Sequence, residues 1–141
     1  MNFTASIALA LATVLSGGMS AAQSPQIMPQ VQTVQEYVQE YFANEPVMVA
    51  IAGCESQFRQ YDANGNVLHN TAGSSAVGLF QIMDSVHSEA AADLGIDIYT
   101  TQGNMAYAQY LYQTRGTAPW SASKACWGKQ AINKTVAVAT K

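Results

Sequence analysis

Residues 47–58 read Val-Met-Val-Ala-Ile-Ala-Gly-Cys-Glu-Ser-Gln-Phe, and this stretch decides the fold. Its first six residues are apolar without interruption, a pattern that fits either a buried helix or a buried strand. Pro46 stands directly before the run, and proline is well tolerated in the first turn of a helix. Together with Gly53 near the end of the run, Pro46 favours a buried helix over a strand.

Glu55 stands where this apolar run ends, and its position suggests acid–base chemistry. A carboxylate beside so much hydrocarbon is poorly hydrated, so its pKa is expected to rise. A carboxyl group that stays protonated near neutral pH can act as a general acid. The structural alternative is a solvated glutamate at the end of a helix, with no chemical role.

The residues on either side of the apolar run predict one helix and one hairpin. Thr33 and Glu36 have the spacing of a capping box, and apolar residues follow at helical spacing, so we expect an amphipathic helix over 34–43. The Asn-Gly pair at 64–65 is a strong signal for a tight turn between two strands. It predicts a β-hairpin over 58–70.

Three further helices are predicted towards the C-terminus from caps and terminating glycines. They are a helix over 85–94 that Asp84 caps and Gly95 ends, a helix from about 101 to 115 that ends at Gly116, and a short last helix over 119–127.

The whole chain has 141 residues and a formal net charge of −3, which suits a single domain and offers no basic surface for nucleic acid. The apolar stretch 7–15, followed by small residues up to Ala22, predicts a secretory signal peptide over 1–22. A membrane anchor is the alternative, but the stretch is too short to span a bilayer. We therefore expect an exported monomer that is periplasmic, cell-wall associated or extracellular, with no stable membrane span after cleavage.

The remaining sequence divides by composition. We expect a linker over 23–33, one domain over 34–128 and a C-terminal tail over 129–141.

Cys54 and Cys126 are the two cysteines of the chain. In an oxidising compartment they are expected to form one disulfide, which would join the residue beside Glu55 to the far end of the domain. A catalytic thiol is the alternative reading. His69 and His87 stand apart from both cysteines, so the sequence predicts no metal site and no cofactor.

Two short motifs carry a resemblance to a known family. Glu55-Ser56-x-Phe58, a predicted hairpin and then the Gly-Leu-Phe-Gln-Ile stretch at 78–82 together resemble the lysozyme-like soluble lytic transglycosylase domain. The resemblance covers residues 46–127 and implies a mainly α (α+β) lysozyme-like fold, a helical domain with one small β-hairpin beside the active-site cleft. The chain departs from the family where an Ala-Tyr-Asn-Ala-Gly stretch is usual, because residues 120–127 read Trp-Ser-Ala-Ser-Lys-Ala-Cys-Trp.

The resemblance also implies an activity, cleavage of the β-1,4 MurNAc-GlcNAc bond in peptidoglycan glycan strands with Glu55 as the catalytic group. It implies a substrate-binding role for a set of residues around that group: Ser56, Gly78, Phe80, Gln81 and Tyr107. Gln81 as an amide that only stabilises a turn, and the aromatic residues as core, are the structural alternatives.

The inventory of carboxylates bears on the mechanism. Glycoside cleavage needs a proton on the leaving oxygen and stabilisation of a cationic transition state, which many enzymes supply with a second carboxylate. By sequence position, only Asp62 and Asp84 are candidates to face Glu55, and each has an expected structural role. A single-acid mechanism fits better, and the resemblance implies that the sugar 6-hydroxyl then closes a 1,6-anhydro ring. Lysozyme-type hydrolysis and a non-catalytic glycan-binding module are the alternatives.

Overall fold

The computed structural model describes residues 31–130, which form a mainly α-helical unit with a small antiparallel sheet. The predicted class, mainly helical with one small β element, is confirmed. In chain order the elements are α1 (Val34–Tyr41), α2 (Pro46–Ser56), β1 (Ala76–Val77), β2 (Ile82–Met83), α3 (Asp84–Asp93), α4 (Thr101–Arg115) and a 3-10 helix (Ala118–Ser123). The predicted signal peptide, the linker up to residue 30 and the tail from residue 131 lie outside the described residues. Within residues 31–130, no helix has both the length and the apolar character needed to cross a membrane.

α2 is the buried centre of the fold. The side chains of Met48 and Ile51 have no exposed surface, and burying each contributes roughly 1.5–3 kcal/mol. Because α2 is apolar on every side, it can pack against several elements at once. The strand alternative for residues 47–52 is therefore wrong, and Glu55 lies in the last turn of a helix.

α1 begins with the predicted capping box. Thr33 Oγ1 accepts a hydrogen bond from the backbone N–H of Glu36 over 3.2 Å, and Glu36 Oε2 accepts one from the backbone N–H of Thr33 over 2.8 Å. Both bonds satisfy donors that the first turn of a helix leaves without partners. The helix ends at Tyr41, slightly earlier than the predicted residue 43.

The sheet is a short hairpin built on the second motif. β1 and β2 pair in antiparallel register with Val77 opposite Ile82, and residues 78–81 form the turn between them. This order of strand, turn and strand places the Gly-Leu-Phe-Gln stretch at the tip of a hairpin whose first strand is buried.

The predicted hairpin over 58–70 is corrected. This segment folds back at its Asn-Gly turn, but only isolated antiparallel bridges stand where two strands were expected: Tyr61 pairs with Val67 inside the segment, and His69 pairs with Val77 of β1. Asp62 Oδ1 accepts hydrogen bonds from two backbone N–H groups of the loop, those of Asn64 and Asn66. The side chain thus satisfies donors locally, and the segment is a stabilised loop instead of a strand ladder.

α3 and α4 appear in the predicted order with small shifts at their ends. Asp84 is the first residue of α3 and not its cap, because Met83 occupies the cap position and makes no side-chain bond to the helix. Gly95 follows the end of α3 with a φ of 70°, and Gly116 ends α4 with a φ of 58°. Glycine adopts these left-handed conformations at little cost, which is why both positions stop a helix as predicted.

The predicted last helix over 119–127 consists of two elements. The 3-10 helix extends to Ser123, and residues 124–130 continue as α-helix. Residues 129 and 130, assigned to the tail from the sequence, belong to this helix.

Candidate active site

The Glu55 carboxyl group is half-buried and contacts one hydroxyl group. Ser123 Oγ donates a hydrogen bond to Glu55 Oε1 over 2.5 Å. Burial raises the pKa of Glu55 above its ordinary value, and the bond from Ser123 lowers it by a smaller amount. The rise in pKa predicted from the apolar run is confirmed in direction.

The disulfide fastens the two segments that carry this pair. Cys54 and Cys126 are bonded, with their Cα atoms 6.1 Å apart, so the predicted disulfide is confirmed and the catalytic-thiol alternative is wrong. Cys54 directly precedes Glu55 in α2, and Cys126 lies shortly after Ser123. The covalent bond therefore limits how far the carboxyl and hydroxyl groups can separate.

Ser123 is able to serve both protonation states of Glu55. Its Oγ also lies 3.1 Å from the backbone carbonyl oxygen of Trp120. A hydroxyl group has one donor and two acceptor sites, so Ser123 can donate to a Glu55 carboxylate. When Glu55 carries the proton, Ser123 can accept from it and turn its own O–H towards the Trp120 carbonyl. The same pair can thus hold Glu55 before and after a proton transfer.

Trp120 connects this pair to the hairpin tip. Its indole Nε1 donates to the carbonyl oxygen of Phe80 over 2.9 Å, while its own carbonyl accepts from Trp127 Nε1 over 2.9 Å. Residues 120–123 are therefore bonded to both motifs, through Trp120 to Phe80 and through Ser123 to Glu55.

Two buried amide side chains hold the hairpin tip in place. Gln60 Oε1 accepts from the backbone N–H of Leu79, and Asn104 Oδ1 accepts from that of Phe80, each over 2.8 Å. Gly78 is required between them, because its φ is 71° and a Cβ there would lie 2.6 Å from both amides. We conclude that Gly78 has a structural role that its burial and contacts explain.

Backbone strain is concentrated at the two motifs. In the described part of the chain, the non-glycine residues with positive φ are Gln57 (55°), Phe58 (60°) and Gln81 (49°). Two of them directly follow the Glu-Ser pair and the third ends the hairpin tip. Such conformations cost on the order of 1–3 kcal/mol each and cluster at functional sites.

The substrate-binding roles assigned to Ser56, Phe80 and Tyr107 are corrected. Their exposed fractions are 2%, 0% and 1%, so none of these side chains can contact a glycan directly. Ser56 Oγ donates instead to the carbonyl oxygen of Leu79 over 2.7 Å, which ties α2 to the hairpin. Phe80 packs edge-on against Trp120.

Gln81 is the predicted binding residue that does face open space. It lines a cavity of about 260 Å³ together with Trp120, His87 and Arg115, among others. Its Nε2 donates to the carbonyl oxygen of Gly78 over 2.9 Å, which leaves its Oε1 free to accept a bond from a ligand.

The two other carboxylates considered as partners of Glu55 are engaged elsewhere. Asp62 binds the backbone of its own loop, and these backbone bonds lower the pKa of Asp62. Asp84 Oδ1 accepts a hydrogen bond from Tyr99 Oη over 2.5 Å. In residues 31–130, no three His, Cys, Asp or Glu side chains are grouped so that they could hold a metal ion.

Comparisons of the chain with models of protein families, with curated proteins and with solved structures found no match. The family resemblance therefore rests on the two motifs and their spacing.

Sequence reasoning missed two residues of this region, Ser123 and Gln60. Ser123 lies 68 positions after Glu55, and serine has no local pattern that would have distinguished it from its neighbours. Gln60 precedes an exposed loop and looks polar and solvated, although it is 1% exposed. Its neighbours in the sequence are Arg59 and Tyr61, so no local pattern indicates a buried amide there.

Proposed function

We propose that this protein cleaves the β-1,4 MurNAc-GlcNAc bond of peptidoglycan, as an exported lysozyme-like lytic transglycosylase with Glu55 as its single acid and base. One observation carries the proposal. Glu55 is a half-buried carboxyl group with a raised pKa, paired with a hydroxyl group and with no second carboxylate bonded to it. The mainly helical fold and the order of the two motifs support it.

The chemistry follows from this arrangement. Protonated Glu55 gives its proton to the glycosidic oxygen, and the C1–O bond breaks as positive charge develops at C1. Glu55, now a carboxylate that accepts from Ser123, takes the proton of the sugar 6-hydroxyl. The 6-oxygen then attacks C1 and closes a 1,6-anhydro ring. Glu55 regains its proton, so no water is consumed.

The engagement of Asp62 and Asp84 elsewhere favours this route over a mechanism with two carboxylates. In lysozyme-type hydrolysis, the alternative with the same acid, Glu55 would take its second proton from a water molecule. That alternative is distinguished by its products.

The substitution Glu55→Gln tests the role of the acid. Glutamine preserves the size and the bond to Ser123 but can neither give nor accept the proton, and general acid–base assistance typically contributes about 10²–10⁴-fold. The rate of cleavage of purified peptidoglycan should fall at least about 10²-fold, and the melting temperature should stay the same. Glu45→Gln, at the other end of α2, is the matched control and should cleave like the wild type. A Glu55→Gln variant with near wild-type turnover would refute the proposal.

A further inference from the structure

The cavity behind Gln81 combines apolar walls with two nitrogen-bearing side chains. Leu111, Pro119 and Trp120 form part of its wall, and His87 and Arg115 bring nitrogen donors to it. Its volume, about 260 Å³, is slightly below the range of about 300–1,000 Å³ that is typical of pockets for drug-sized ligands. It suits one sugar substituent and not a long segment of a glycan.

A buried hydroxyl group orients His87. Tyr107 Oη lies 3.1 Å from His87 Nδ1, and burial raises the pKa of Tyr107, so the phenol keeps its proton and can donate it to Nδ1. A neutral imidazole that accepts at Nδ1 carries its proton on Nε2 and is a donor there. Burial and the nearby charge of Arg115 lower the pKa of His87 and favour this neutral form. Tyr107 therefore affects the cavity by orienting the His87 side chain that lines it.

The described residues that line the cavity carry positive charge and no negative charge. Arg115 is an exposed guanidinium, and none of the described residues that line the cavity carries a carboxylate. Arginine presents a planar set of donors that matches a carboxylate, and a neighbouring His87 N–H can add a further bond.

We propose that this cavity binds a carboxylate carried by the glycan, namely the acidic end of a peptide attached to a muramyl ring. The inference rests on the proposed function, because it takes the substrate to be peptidoglycan. Trp120 connects the two places, since it lines the cavity while its carbonyl oxygen lies 3.1 Å from the hydroxyl oxygen that contacts Glu55. Arg115 would thus select peptide-bearing strands and fix their position relative to Glu55.

Binding of muramyl dipeptide, which has a free carboxylate and no glycosidic bond to cleave, tests this directly. The affinity of the whole protein for it is measured by NMR, from the indole N–H signal of Trp120 and the ring signals of His87. Its carboxamide derivative and the trimer of N-acetylglucosamine are the ligands without a carboxylate. We expect the carboxamide to bind about two- to fivefold more weakly, as for an exposed ion pair.

The variant Arg115→Gln should abolish the difference between acid and amide, whereas Lys129→Gln, which removes one positive charge elsewhere, should preserve it. Equal affinities for acid and amide in the wild type would overturn the inference, as would an Arg115→Gln variant that still prefers the acid. A wild-type protein that binds none of the three ligands would also overturn it. Because the acid and amide ligands have no glycosidic bond to cleave, a failure here is distinguishable from a failure of the proposed activity.

Discussion

Replacing Ser123 by alanine isolates the contact that supports the proposed acid. The substitution removes one oxygen atom and with it the 2.5 Å hydrogen bond to Glu55 Oε1. A hydrogen bond to a charged group contributes about 1.5–3 kcal/mol, and screening by solvent at this half-buried site reduces that to about 1 kcal/mol. A loss of this size lowers the rate about fivefold if the bond acts in the transition state.

The same substitution has a defined effect on the pH dependence. The bond stabilises the carboxylate form, so its loss raises the pKa of Glu55 further. In the proposed reaction Glu55 must start protonated, so activity should fall as the pH rises through its pKa. The alkaline limb of kcat/KM should therefore move to higher pH in Ser123→Ala.

The assay is kcat/KM on solubilised peptidoglycan over a range of pH, combined with ¹³C NMR titration of the Glu55 carboxyl group. Ser121→Ala is the matched control, since Ser121 is an exposed residue of the same 3-10 helix. An alkaline limb that stays in place, or that moves to lower pH, would refute the reasoning even if the rate falls.

Three further predictions concern stability. Gly78→Ala should destabilise the domain more than Gly73→Ala in chemical denaturation, because both positions have positive φ but only the first lacks space for a Cβ; equal losses would argue against the steric account. Replacing Cys54 and Cys126 by serine should cost roughly 4 kcal/mol, since the disulfide spans a sequence separation of 72 residues, and an unchanged denaturation midpoint would contradict this. The wild type should lose stability as the pH rises from the unfolded pKa of about 4.5 through the raised pKa of folded Glu55, and the Glu55→Gln variant should not show this loss. A folded carboxyl group with a raised pKa stabilises the protein below that window and not above it, so parallel stability–pH curves for the two proteins would exclude it.

The parts of the fold that were predictable are those with a strong local cause. The buried helix follows from an uninterrupted apolar run behind Pro46, and α1 follows from the reciprocal bonds of Thr33 and Glu36. The disulfide was predictable because two cysteines allow one pairing.

The parts that were not predictable depend on contacts between distant residues. The Asn-Gly turn formed, but Asp62 satisfied the loop donors that a strand ladder would have used. Glu55 was predictable as a residue with a raised pKa, whereas its partner Ser123 was not, because only the packing of the 3-10 helix against α2 brings them together. Tyr107 was assigned to the cleft by its place in the motif order, but its side chain is buried in the core and its hydroxyl group contacts His87.

The products of peptidoglycan digestion test the central claim most directly. Purified peptidoglycan is digested by the wild type and by Glu55→Gln, and the released muropeptides are analysed by mass spectrometry before and after borohydride reduction. We predict wild-type products that are lighter by one water than hydrolysis products and that borohydride leaves unchanged, because their reducing ends are closed as anhydro rings, and no such products from the variant. Products with reducible ends would contradict the anhydro mechanism in favour of hydrolysis, and the absence of any wild-type product would contradict the enzymatic role of Glu55.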